Sequence, residues 1–185
     1  MGQNRWTNIL RYAHCDPLDE SAPGDGVALL WYRSEAARLR HVGDDAARAI
    51  MRADEAETFA RPVRAFSTLV DEVIFAPVAS GAFKRFDFVW RAPSISRAEF
   101  RQWWEHDHGP RRLAALAALP GFLGLVQNHA RSEAELTGFG LDCDGIEESD
   151  WAAPTQFRDE PSASVGRSMP IWTREVVLSD TCDHA

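Results

Sequence analysis

An aromatic strand carrying charge, a capped helix ending in Gly-Pro, and two more strands follow one another from Phe83, an order few folds accept. Alternation along Phe83 to Trp90 places Phe86, Phe88 and Trp90 on one side and Phe83, Arg85, Asp87 and Val89 on the other. A charge in mid-strand opposite so apolar a face suggests that the second side lines a polar cavity; an exposed sheet face is the plainer alternative. Ser96-Arg97-Ala98-Glu99 has the spacing of a capping box and opens a helix. Phe100, Trp104 and His108 then descend one helix face with Trp103 beside them. Gly109-Pro110 is expected to break the helix, with a second helical piece from Arg111 to Ala118. After Leu119-Pro120-Gly121, strands are expected at Phe122–His129, around Ile146 and at Ile171–Leu178. The second half thus reads β-α-β-β-α-β, a ferredoxin-like α+β unit.

In the first half, strands are expected near Ile9–His14, Val27–Tyr32 and Phe66–Phe75, with a helix from about Asp44 to Ala60. The two halves share short anchors in the same order. Ile9 to His14, Asp25-Gly26-Val27, Asp54-Glu55 and Asp71-Glu72-Val73-Ile74 match Leu125 to His129, Asp144-Gly145-Ile146, Asp159-Glu160 and Arg174-Glu175-Val176-Val177. A duplication explains the order; one continuous α+β domain is the alternative. Pro77 to Gly81 is the expected linker, giving halves of residues 1–78 and 79–185.

Composition narrows the function classes. A net charge of -8 argues against nucleic-acid or anionic-membrane partners, which need a basic face. No apolar run is long enough for a transmembrane helix, and the N-terminal residues lack a signal-peptide pattern. The odd, widely spaced Cys15, Cys143 and Cys182 read as reduced thiols of a cytoplasmic protein. Lys84 is the single lysine among 20 basic residues, which hints at a GC-rich bacterial genome. Phosphate loops, dinucleotide fingerprints and serine-hydrolase elbows are absent from the sequence. His106 and His108 cannot share a metal ion, because residues two apart on a helix point about 200° apart. Neither a metal nor a cofactor is expected.

Phe86 to Arg91, Ser96 to Phe100 and Trp104-Glu105-His106-Asp107-His108-Gly109-Pro110 resemble the opening of an EthD-family domain. Gly121-Phe122, Val126-Gln127-Asn128-His129 and Asp144-Gly145-Ile146 with Glu148 continue the resemblance to about Trp151. It implies ferredoxin-like units paired face to face as an α/β barrel, here a pseudo-dimer within one chain. The first half lacks the opening β-α, and that strand would occupy the middle of its sheet. Another segment, a second chain (a homodimer) or residues preceding Met1 would have to supply it.

The resemblance also makes His108 the candidate acid/base group, since an imidazole exchanges protons near neutral pH. A histidine bonded to the helix's last carbonyls is the structural alternative. Asp87 and His129 are the candidate partners that orient substrate or share charge, although Asp87 could equally pair with Arg85 or Arg91. Trp104, Gln127, His14 and Tyr12 are candidate substrate contacts. The expected function is a cofactor-independent enzyme acting on a small apolar carbonyl or phenolic compound by proton transfer: cyclisation, isomerisation, dehydration or decarboxylation. Cofactor-free oxygenation, a non-catalytic apolar-ligand module in an oxidative degradation pathway and, more weakly, haem binding are the alternatives.

Overall fold

A computed structural model describes residues 8–77, 83–132, 135, 136, 138–156 and 162–180. Seven strands form one antiparallel sheet: β1 (Ile9–Pro17), β2 (Val27–Tyr32), β3 (Val70–Ala76), β4 (Phe83–Arg91), β5 (Phe122–Ala130), β6 (Gly145–Trp151) and β7 (Val165–Asp180). Their order is β2-β1-β7-β4-β6-β5-β3. The centre of the sheet comes from the second half of the chain, and strands of the first half form both edges. Most of the expected linker, residues 78–81, lies outside the described residues. The sheet curls into a half-barrel, bringing its edges close enough for Trp31 Nε1 on β2 to donate to Glu72 Oε1 on β3 at 3.1 Å. The architecture is mixed α+β, and no described helix is long and apolar enough to cross a membrane.

The concave face joins apolar packing to a charged cluster. Phe86, Phe88, Cys15, Cys143 and Ile171 form its apolar part. Beside them the fully buried Lys84 ammonium meets Glu148 at 2.5 Å, Asp150 at 2.9 Å and Glu175 at 3.7 Å. Burial works against the lysine's charge, but the three carboxylates outweigh it and hold its pKa above the ordinary value. Burial and the neighbouring carboxylates push Asp150 up to about 7 against the pull of Lys84. Burial also raises both described thiols, Cys15 and Cys143, to about 12, as suits inert core cysteines.

The first half supplies α1 (Glu35–Gly43) and α2 (Asp45–Thr58). Strand β3 starts at Val70 rather than Phe66, because Pro62 leads into a short 3₁₀ turn at Val63–Phe66. Ser67 secures that turn by donating to the Val63 carbonyl at 2.6 Å. Between β6 and β7 no helix occurs among the described residues, so the second expected helix of the β-α-β-β-α-β order is not seen there.

The helix that covers β5 and β6 does not break at Gly109-Pro110. It runs as α3 (Arg97–Trp103), a π-helical turn (Trp104–His108) and α4 (Gly109–Ala117). Gly109 is itself helical, at φ -54° and ψ -52°, and its N–H donates to the Trp104 carbonyl five residues back. Proline removes one N–H donor and crowds the carbonyl four residues earlier, so a wider turn lets the helix continue. The Asp107 carbonyl accepts from Arg111 Nε at 2.9 Å. Glycine at 109 serves packing: a Cβ there would sit 2.2 Å from the Phe75 ring.

Trp104 is held the same way, flat against a strand without a side chain. A Cβ on Gly145 would lie 2.1 Å from the Trp104 ring, which also stacks on Phe100 at 5.5 Å. Replacing Gly145 with alanine therefore forces the indole outward, and we expect a loss of about 1–3 kcal/mol. Gly24→Ala, where nothing lies within 4 Å, is the matched control and should cost little. Thermal unfolding of the two variants reads the difference; equal midpoints would contradict this packing.

Candidate functional site

Sheet register builds the site. Asp87 on β4 lies opposite Glu147 on β6, and Glu147 lies opposite Gln127 on β5. Directly opposed residues point to the same face of an antiparallel sheet, so the three form one row beneath the π turn and α4. All three side chains are buried. Arg112, one turn beyond His108, reaches down to the row. Its Nε donates to Glu147 Oε1 at 2.6 Å, and its guanidinium lies 3.9 Å from Asp87. Arg85 on β4 donates to Asp87 Oδ1 at 2.7 Å.

His108 hangs from the end of the π turn with its ring 5.2 Å from that of Trp103. Its Nε2 lies 3.3 Å from Glu147 Oε2, and a quarter of its side chain remains exposed. Burial alone would raise the Glu147 pKa. The His108 hydrogen bond and the charges of Arg112 and His108 outweigh it and hold the carboxyl below the ordinary range. A carboxylate gripping one ring nitrogen fixes the orientation of an imidazole. When Nε2 is the protonated nitrogen, the lone pair of the neutral ring sits on Nδ1.

The remaining sequence candidates divide by position. Trp104 and Gln127 belong to this region, and His129 lies two residues along β5 with its ring 4.8 Å from Trp104. Among the described residues, neither amide atom of Gln127 nor Nε2 of His129 has a hydrogen-bond partner. Asp87 is engaged with Arg85, the salt bridge that the strand spacing allowed. Tyr12 and His14 are hydrogen-bonded to each other on β1, with β7 and β4 between them and β6. At about 4.8 Å per strand, the structure does not bring them to His108.

Glu147 and Arg112 are the members that sequence reasoning missed, whereas Arg85 was an expected partner of Asp87. Glu147 was recoverable from strand alternation, since it stands two residues from Gly145 on the face that the helix covers. Arg112 was not, because a broken helix leaves its direction undefined. Among the described residues, no group of three or more His, Cys, Asp or Glu is placed to hold a metal ion. No family model, no curated protein and no solved structure matches this chain.

His129 gives the site a measurable pH signature. Burial, helped by the charge of Arg101, lowers its pKa from 6.5 to about 4. A histidine held neutral when folded contributes its full stability above its unfolded pKa, and that contribution is lost as pH falls from about 6.5 to about 4. The loss amounts to about 3 kcal/mol at most. His129→Phe keeps an aromatic ring against Trp104 and should flatten this part of the profile, as read by urea midpoints at pH 4.5 and 7. Equal slopes in both proteins would show that His129 is not held neutral.

Proposed function

We propose that this chain is a cofactor-independent enzyme acting on a small apolar carbonyl or phenolic compound, with His108 as its acid/base group. The observation that carries this reading is the Glu147 carboxylate on His108 Nε2, itself held by Arg112. A partly exposed imidazole aimed by a buried carboxylate is suited to taking a proton from a substrate and returning it. Gln127 supports the substrate class, because a buried amide with both polar atoms unpartnered matches a substrate oxygen that accepts or donates one hydrogen bond. Trp103 and Trp104 supply flat apolar walls beside His108 and His129. Proton-transfer reactions such as cyclisation, isomerisation, dehydration or decarboxylation share this requirement.

The EthD resemblance enters here as part of the proposal. The order β7-β4-β6-β5, with a helix between β4 and β5 on one face, supports reading residues 79–185 as a ferredoxin-like unit. Strands β1 and β2 beside β7, with β3 beside β5, support reading residues 1–78 as a diverged second half of a pseudo-dimeric barrel.

Turnover of a panel of phenols, naphthols and lactones tests the chemistry. With a substrate found, His108→Ala should lower kcat by about 10²–10⁴. Glu147→Gln should lower it less while shifting the pH–rate profile. His108→Ala turnover within about tenfold of the parent would remove His108 from the acid/base role.

A further inference from the structure

The sheet's open edges specify what would close it. Every neighbouring pair in β2-β1-β7-β4-β6-β5-β3 is antiparallel, so an odd number of strands leaves β2 and β3 running in the same direction. They cannot pair antiparallel with each other. One more strand, running opposite to both, would complete an all-antiparallel eight-stranded barrel. The contact between Trp31 and Glu72 shows that the edges face each other at side-chain reach, and a single inserted strand needs about 10 Å between its neighbours.

The other half of the barrel shows what that strand should carry. There β4 lies between β6 and β7, and its Lys84 sits between Asp150 on β6 and Glu175 on β7. The ordered sequence similarity aligns Asp25-Gly26-Val27 with Asp144-Gly145-Ile146, which carries Trp31 onto Asp150. It also aligns Asp71-Glu72 with Arg174-Glu175, which carries Glu72 onto Glu175. Two positions that straddle a lysine in one half therefore meet each other across the open edge in the other.

We propose that the edge between β2 and β3 is a docking site for one extended segment of a partner polypeptide, with alternating apolar side chains and a lysine placed between Trp31 and Glu72. Such β-strand addition draws affinity from main-chain hydrogen bonds and specificity from alternate side chains. A second copy is a poor donor, because each described strand is already paired within its own sheet. A strand here would run parallel to β1, so a segment leading into β1 could fill it only through a connection of a dozen residues or more besides the strand. This inference rests on the duplicated-half reading but not on the chemistry of His108, so the His108 variants and the experiment below fail independently.

The probe is a labelled peptide with the β4 sequence, residues 83–91 of this chain, added to the full-length protein. We expect saturable one-to-one binding with Kd below about 100 μM and slowed amide exchange confined to β2 and β3. A peptide with glutamate in place of its lysine should bind at least about tenfold more weakly, and Glu72→Lys in the protein should restore it. Equal affinity for the two peptides, or no saturation by about 1 mM, would overturn the proposal. So would a chain that sediments as an oligomer with the β2 and β3 amides already protected, since a second copy would then fill the edge.

Discussion

Antiparallel pairing of β4, β6 and β5 fixes Asp87, Glu147 and Gln127 side by side before any helix is placed. Two carboxylates so close under a helix would repel each other and lose their hydration, costs that a protein interior repays only through well-placed counter-charges. Arg85 arrives from the same strand as Asp87 and Arg112 from the helix above, and between them they hold both acids. The proposed acid/base role of His108 rests on Glu147 being held in this way. The acid/base reading depends on this balance more than on the histidine alone.

The two faces of the sheet treat charge differently. Inside the curl, one ammonium is shared among three carboxylates and sealed from water, which ties β4, β6 and β7 together. Outside, the charges are paired two against two and one edge stays open to solvent through His108. The groups also pull stability in opposite directions with pH. Asp150, raised toward 7, contributes below its unfolded pKa near 3.8 and loses that contribution as pH climbs through about 7. His129 contributes above about 6.5 and loses its share on acidification. Between those limits the two effects partly cancel.

Strand positions were legible because period-two alternation and turn residues are local signals: β1, β2, β4 and β5 begin within a residue of their expected starts. The helix from about Asp44 to Ala60 appears as α2, and the capping box at Ser96 is formed as its spacing required. What the sequence concealed was tertiary. Gly109-Pro110 reads locally as a stop, yet the wider turn and the packing of Phe75 against Gly109 carry the helix through. The placement of first-half strands on both edges of one sheet is likewise invisible to any short window. Within the site, His108, Trp104 and Gln127 were readable, whereas Glu147 and Arg112 needed register and helix phase together.

The π turn holds one residue more than an α-helical turn over the same rise. Deleting a single residue between Trp104 and His108 would let ordinary bonding resume without turning the helix beyond it, because the wider turn had absorbed the extra residue. Arg112 would stay above Glu147, and the side chains of the turn itself, His108 included, would be re-aimed over the Asp87–Glu147–Gln127 row. Length variation at this one turn, rather than substitution, is thus the shortest evolutionary route by which the same sheet could acquire another chemistry.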